Sequence, residues 1–386
     1  MYVNREGFLF APEPLEPRVF LHAGAPDAVY PVGTMVPWLT APITAAAVVP
    51  PVVPPVVPPV VPPVSPPVSP PPPVSPPPPP STDPASTFTQ INWVTKASSP
   101  IVRAEALTAT YNDRLYVFGG FSGTLGPVLT SHYYTPATNS WTAIKDLPQR
   151  LTHVGMAQTD SDVYLVGGYV GTEGKTGYGQ TYGSEKVWKY NFASDTYTAM
   201  PALPRKLAGG GSAIVDGKLH YFGGYELNRT DTSVHLVLDL NNAAAGWKAA
   251  APMPHSRNHM GTVVVGGKIY AVAGQTGTDA GLVTQTFVEA YDPATDTWAE
   301  RSPIPKAVSH IASATFVMGE RIIVMGGEKA HEQQVRECWA YTPATDTWVA
   351  LTSLPAARFS GVANVINGKI YFTTGGSAAT TWEGTV

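Results

Sequence analysis

A pair of glycines that follows an apolar run recurs at nearly regular intervals along most of this chain of 386 residues. The second glycine of the pair falls at positions 120, 168, 224, 327 and 376, and a sixth copy, YAVAG, ends at Gly274 with alanine in the first place. The copies lie 48 to 56 residues apart. Such a period indicates one supersecondary unit that is repeated and that buries its apolar faces against neighbouring units.

The repeats share an interior pattern. Residues 291–298 read YDPATDTW and residues 341–348 read YTPATDTW. Proline and aspartate between two aromatic β-formers predict a turn between strands. Upstream of the glycines, Asp216-Gly217 and Asn367-Gly368 are typical of type I′ hairpin turns. Each repeat therefore predicts four antiparallel strands, and no segment has a helical period.

Six units of this kind resemble kelch repeats. The resemblance implies an all-β fold, a six-bladed kelch-type β-propeller over residues 88–386, in which the aromatic side chains fill the wedges between blades. Residues 379–386 suffice for only the third strand of the last blade, whereas Ile91-Asn92-Trp93 has the pattern of a fourth strand. We therefore expect the N-terminal strand to close the ring, which removes exposed sheet edges.

Residues 50–87 form a proline-rich linker, because 19 of the 40 prolines lie in positions 50–80. Proline fixes φ and removes a backbone donor, so this run predicts a polyproline II spacer. A ligand for proline-reading domains is the alternative, although no basic residue flanks the run.

Residues 1–49 are expected to be a disordered N-terminal segment. Within it, PLEPRVFL at positions 14–21 resembles the LEPR-XLL sorting motif of planctomycete-type surface proteins, with Phe20 in place of a leucine. The resemblance implies an extracellular, cell-surface or periplasmic location in a bacterium. The alternative is a disordered tail without a sorting role.

Charge and cysteine content exclude several classes of protein. Charged residues make up 13% of the chain and the net charge is −4, which argues against a nucleic-acid partner. No apolar run approaches the roughly 20 residues that span a bilayer. Cys338 is the single cysteine and aligns by repeat position with Val187 and Val288, so we expect it in the core rather than in a site like that of the kelch copper oxidases. We expect no cofactor, no metal and a monomeric propeller.

Two sets of loops should share one face of the propeller: those between consecutive blades and those after the glycine pairs. The predicted ligand-binding rim comprises Arg103, Arg150, His153, Arg205, Arg257, His259, His310, Arg358, Arg229 and Glu328. Convergent Arg and His side chains suit an anionic or polyhydroxyl ligand. Alternatively, these residues stabilise blade ends by bonding backbone carbonyls.

The functional prediction is an exported module that binds a protein or glycan through its loop-rich face. We expect substitution of Arg257 and His259 to weaken ligand capture without changing the melting temperature. The alternative is a carbohydrate mutarotase that resembles the N-acetylneuraminate epimerase kelch enzymes. Such an enzyme needs a general acid or base beside an anion-holding arginine, for which Glu105 and Glu226 are the candidate catalytic residues. No family catalytic motif matches residue by residue, so catalysis stays an open alternative.

Overall fold

Six antiparallel four-stranded sheets make up the propeller, and we call them blades I to VI in chain order. The computed structural model describes residues 87–122, 126–172, 179–376 and 378–386. The N-terminal segment with its LEPR-like motif and nearly all of the proline-rich linker lie outside the described residues. The all-β propeller predicted from the repeats is confirmed.

The strands of blades I to III, each from first to fourth, are Leu107–Tyr111, Arg114–Phe118, Ser131–Thr135 and Ser140–Ile144; Gly155–Gln158, Asp162–Val166, Val187–Asn191 and Thr196–Met200; and Gly211–Val215, Lys218–Phe222, His235–Asp239 and Lys248–Ala249. Those of blades IV to VI are Gly261–Val265, Lys268–Val272, Val288–Asp292 and Thr297–Arg301; Thr315–Met318, Arg321–Met325, Cys338–Thr342 and Thr347–Leu351; and Val362–Ile366, Lys369–Thr373, Thr381–Thr385 and Asn92–Lys96.

Shorter elements lie outside the four-stranded sheets. The short strands are Leu151–Thr152, Tyr169–Gly171, Gln180–Thr181, Leu207–Ala208, Tyr225–Glu226, Gln275–Thr276 and Val283–Thr284. Helical structure in the described part of the chain is confined to the 3-10 segments Pro136–Thr138, Leu240–Ala245, Asp279–Gly281 and Ala312–Ala314.

The first strand of the described residues completes the last blade, as predicted. Asn92–Lys96 pairs antiparallel with Thr381–Thr385 over five residue pairs. Blade VI therefore contains both the first and the last strand of the propeller, and the ring is closed by β-pairing.

The repeated Tyr and Trp hold neighbouring blades together. Tyr291 pairs across strands with Trp298, and its hydroxyl donates to Asp296 Oδ1 at 2.8 Å. The same carboxylate accepts from the backbone N–H of Ala251 in blade III at 2.8 Å, and Trp298 Nε1 donates to the Ala251 carbonyl at 2.9 Å. Tyr341, Asp346 and Trp348 repeat this arrangement towards Ser302 in blade IV.

Buried apolar clusters occupy the interfaces between consecutive blades, one at each of the six interfaces. Cys338 is 1% exposed and lies in the cluster between blades V and VI. Burial raises the pKa of its thiol to about 12. The cysteine is a core residue, as expected.

The glycine pair also links blades. The N–H of its second glycine donates to a carbonyl of the next blade, for example Gly168 to Leu207 at 2.9 Å. In blade VI the residues in this position are Thr374 and Gly375, and Gly375 N donates to the Arg103 carbonyl at 2.9 Å. The sequence-based assignment of Gly375-Gly376 to the pair was therefore one residue too late. Thr374 adopts a φ of 61°, the left-handed conformation that glycine supplies in most other blades.

Candidate functional site at the propeller axis

Each blade contributes one residue, just before its first strand, to the lining of the central channel. We call this set of six residues the axial ring. Its members are Glu105, His153, Gly209, His259, His310 and Ser360. All six adopt a left-handed φ between 51° and 68°. Direct backbone bonds join some neighbours: Gly209 N–H donates to His153 O at 2.8 Å, and His259 N–H donates to Gly209 O at 3.0 Å. The shared backbone conformation therefore brings five side chains to the channel, since Gly209 has none.

The axial ring lines a constriction with room for about 20 Å³. On one side lies a channel cavity of about 380 Å³, lined by first strands of the blades. On the other side is a pocket of about 170 Å³, which we call the mouth pocket. Above His153, His259 and His310, its walls include Arg229, Asp279, His331, Glu332 and Phe359. The ring thus separates the interior channel from the pocket on the loop face.

His310 lies between two carboxylates. Its Nδ1 is 2.9 Å from Glu328 Oε2, and its Nε2 is 3.8 Å from Glu105 Oε1. Glu105 also accepts a hydrogen bond from the Ser360 hydroxyl. Burial opposes a positive charge on His310, but the hydrogen bond to Glu328 and the charge of Glu105 outweigh it and raise the pKa of the imidazole.

His259 is held by a chain of hydrogen bonds that leads away from the axis. Asn258 Nδ2 donates to Asp231 Oδ1 at 2.5 Å, so the amide oxygen of Asn258 faces His259 Nδ1. An amide oxygen can only accept, so Nδ1 must carry the proton. Nε2, the nitrogen that remains, is buried and has no hydrogen-bond partner among the described residues. Burial lowers the pKa of His259 well below its ordinary value, which keeps the ring neutral.

His153 adds a third imidazole to the ring. It stacks on Tyr169 with ring centroids 4.0 Å apart and meets His259 edge to face at 4.8 Å. Burial lowers its pKa to about 4. Tyr169 is the residue directly after the second glycine of blade II, and Glu328 holds the same place in blade V. This position therefore supplies a partner to His153 and to His310.

Two predicted rim residues, Arg103 and Arg257, lie inside the blades, and both are 0% exposed. Arg103 donates to the carbonyls of Gly119 and Thr130 at 2.6 and 2.7 Å, and burial lowers its pKa to about 10. Arg257 pairs with the buried carboxylate of Glu289 at 2.5 Å. These contacts belong to the scaffold, so the prediction that both arginines form an accessible rim is corrected.

Other predicted residues occupy varied places. Arg358 and Arg150 are half-buried and bond the backbone carbonyls of Ala357 and Pro127, respectively. The partly exposed Arg205 pairs with Glu226 at 2.6 Å. The structure thus places Glu226 on the rim and Glu105 at the axis, and it does not bring either carboxylate to Arg103 or Arg257 as a catalytic set.

Arg229 joins loops of three blades at the mouth pocket. Its guanidinium donates to both carboxylate oxygens of Asp279 in blade IV, at 2.6 and 3.0 Å. It also lies 4.7 Å from the ring centroid of Tyr182 in blade II. A planar guanidinium held in this way fixes the pocket wall through side-chain contacts between the loops.

Sequence reasoning missed Gly209, Ser360 and Asn258. The signal was available, because the ring residue comes 15 residues before the second glycine of the structural pair in every blade except V, where it comes 17 before. Applied to the repeats, this offset would have found Gly209 and Ser360, although in blade V it points to Ala312 rather than to His310.

No helix in the described ranges is long and apolar enough to cross a membrane.

Comparisons with known proteins agree with the fold. The KLHDC2/KLHL20/DRC7 kelch-repeats domain family matches residues 153–376, more than half of the chain, and the kelch motif matches residues 103–148. The solved structure of YjhT superposes with a TM-score of 0.59 at 19% identity, covering 75% of this chain and 97% of YjhT. At that identity the likeness shows the fold alone.

Among curated proteins, the chain is similar to the kelch-like protein terF of Aspergillus terreus, with 29% identity over 245 residues. That match covers 61% of this chain and 52% of terF, so the chain spans about half of that relative's length. The kelch repeat-containing protein At3g27220 of Arabidopsis thaliana is 25% identical over 311 residues, which cover 74% of this chain and 71% of the relative. With a matching family domain over most of its propeller and the repeat geometry described above, the chain belongs to the kelch-repeat family.

Proposed function

We propose that the propeller is a binding module that captures a protein or glycan on its loop face and receives a polar group of that ligand in the mouth pocket. The observation that carries this proposal is the composition of the pocket. Loops of different blades bring Arg229, Asp279, His331, Glu332 and Phe359 together above the axial ring. Cationic, anionic and aromatic groups in one concave site can orient a polar ligand.

The size of the pocket suits part of a ligand rather than a whole one. Its volume is about 170 Å³, whereas sites that enclose drug-sized molecules have roughly 300–1,000 Å³. A single sugar ring or a peptide side chain would enter, and the remainder would lie across the surrounding loops.

A glycan array and an immobilised peptide library, both probed with the full-length protein, test the proposal. The best ligand is then titrated against Arg229→Gln and Phe359→Ala. We expect each variant to weaken binding by about tenfold or more, because arginine and aromatic anchors carry much of the energy of an interface. Lys268→Gln, in an ion pair with Asp292 at the start of the second strand of blade IV, the blade end opposite the glycine pair, is the matched control and should bind normally. Unchanged binding in the pocket variants would place the site elsewhere.

A mutarotase is the second candidate, and one observation favours it. Glu105 and His310 lie 3.8 Å apart at the axis, so a carboxylate and an imidazole, two groups that serve as general acid or base, stand side by side next to the mouth pocket. Anomer exchange of N-acetylneuraminate, followed by NMR, separates the candidates. Exchange that is accelerated by the protein and lost in Glu105→Gln would favour the enzyme, whereas no acceleration would favour binding alone.

Export to the bacterial cell surface is also proposed, on the basis of residues 14–21 alone. Fractionation of cells that produce the full chain should find it outside the cytoplasm, and deletion of residues 14–21 should retain it inside. The same location for both proteins would remove the support for export.

A further inference from the structure

Three side chains of the axial ring converge on one point. Glu105, His259 and His310 each present one ligand atom, and these atoms all lie within 4.8 Å of one another. Zinc ligands stand about 2.0–2.2 Å from the ion, so tetrahedral ligand atoms are roughly 3.4 Å apart. Shortening these separations by at most about 1.4 Å would bring the three atoms to that spacing.

Both imidazoles are already oriented by partners outside the ring. His310 uses Nδ1 for Glu328 Oε2 at 2.9 Å, and His259 uses Nδ1 for the Asn258 amide, which Asp231 holds in turn. Metal-binding histidines commonly make such a hydrogen bond from the nitrogen that does not bind the ion. The arrangement leaves Nε2 of each ring for a ligand.

The surroundings fit a single small ion. His259 is 6% exposed, and its Nε2 lacks a hydrogen-bond partner in the described part of the protein. The constriction holds about 20 Å³, and one water molecule needs roughly 10–15 Å³ by the same kind of measure. A buried nitrogen that lacks a partner, beside a space of this size, is the feature that a coordinated ion would satisfy.

We infer that Glu105, His259 and His310 form a binding site for one divalent first-row transition-metal ion at the propeller axis. Two imidazoles and a carboxylate favour Zn²⁺, Fe²⁺, Co²⁺ or Ni²⁺ over Mg²⁺ and Ca²⁺, which prefer oxygen ligands throughout. His153 lines the same constriction, with its ring 4.8 Å from that of His259. This inference replaces the sequence-based expectation of a propeller without metal and is independent of the identity of the captured ligand.

The test uses the full chain without an affinity tag, dialysed against EDTA and then against metal-free buffer. Calorimetric titration with ZnCl₂ should give one ion per chain, and CoCl₂ should produce the visible absorption of a four- or five-coordinate site. Glu105→Gln, His259→Ala and His310→Ala should each abolish both signals. His255→Ala, which removes a histidine outside the axial ring, is the matched control and should keep them.

Variants of the outer partners test the same site without removing a ligand. Asn258→Ala and Glu328→Gln should weaken Zn²⁺ binding by about 10- to 100-fold. Circular dichroism and melting in EDTA establish that each variant is folded, and Glu105→Gln, which preserves the shape of the side chain, is the variant least expected to unfold. Stoichiometric binding that persists in Glu105→Gln and His310→Ala, or no binding to the wild type, would overturn the inference.

Discussion

The indole N–H of Trp93 donates a hydrogen bond to the backbone carbonyl of Ser353, 260 residues further along the chain, at 3.0 Å. Trp298 and Trp348 make the equivalent bond to their preceding blades. The closing strand therefore uses the same interface chemistry as the other blades, although it comes from the opposite end of the propeller sequence.

Removal of this strand should disrupt the ring. We expect deletion of residues 88–98 to unfold or oligomerise the propeller, because it exposes the edge of Thr381–Thr385. Trp93→Ala should lower the free energy of unfolding by about 3 kcal/mol, and Trp93→Phe by about 1 kcal/mol. Urea unfolding followed by far-UV circular dichroism measures these changes. Val94→Ala, at a position 56% exposed, is the control, and a deletion variant that stays monomeric with unchanged melting would contradict the closure.

Arg257 should matter for stability, contrary to the expectation from sequence that its substitution leaves melting unchanged. Arg257→Leu removes the guanidinium that pairs with the buried Glu289 carboxylate, so the free energy of unfolding should fall by about 3–5 kcal/mol. Arg103→Leu removes hydrogen bonds to carbonyls without leaving a buried acid, and about 1–3 kcal/mol is expected.

The double variant Arg257→Leu with Glu289→Leu separates the loss of the guanidinium from the cost of a buried carboxylate without that guanidinium. It should recover part of the lost stability in urea unfolding, because the buried carboxylate that lost its guanidinium partner and kept only the contact with His255 is gone. A single Arg257→Leu variant as stable as the wild type would contradict the structural role of Arg257 and support the prediction that it lies on the rim.

Acid should destabilise the fold through buried histidines. His220 Nδ1 lies 2.9 Å from His235 Nε2 inside blade III, and burial lowers the pKa of His220 from 6.5 to about 3. Below pH 6.5 the unfolded chain binds a proton that folded His220 does not bind, so stability falls as pH decreases towards 3. The expected loss is about 1.4 kcal/mol per pH unit for such a histidine.

The pH effect can be measured by urea unfolding between pH 7 and pH 4.5 with EDTA present. His220→Ile uses the residue found at the equivalent strand position in blade V, Ile323, which is fully buried. This variant should lose stability with acid less steeply than the wild type. Equal slopes for the two proteins would show that His220 does not contribute.

The repeat pattern was enough to predict the blades because turns, glycine pairs and interface aromatics recur at fixed offsets. Tyr291 and Trp298 show why: a cross-strand pair and a bond to the previous blade both follow from their positions in one repeat. Ring closure followed from the same comparison, since Trp93 has the pattern of a fourth strand that lacks its first three.

The repeat pattern could not predict whether the arginines are exposed to solvent. Arg103 and Arg257 occupy the repeat position filled by Leu151 and Leu207 in blades II and III, and all four side chains are buried. Because arginine is charged, its presence here suggested an accessible rim. The repeat position itself belongs to the core, where nearby backbone carbonyls accept hydrogen bonds from the guanidinium. The sequence named Glu105 as a candidate acid and placed His259 and His310 on the rim, but it did not predict that they meet at one point, because they come from separate repeats and meet only when the ring closes.

The pairing of the first and last strands has a mechanical consequence. Tension that reaches the propeller along the chain at residue 87 would act on Asn92–Lys96 before any other strand, and this strand is held to its neighbour by five residue pairs. Detachment of those pairs would open the ring at a single seam while the other five blades kept all four strands. The five residue pairs of this seam, rather than the total core, would thus set the resistance of the whole propeller to pulling from that side.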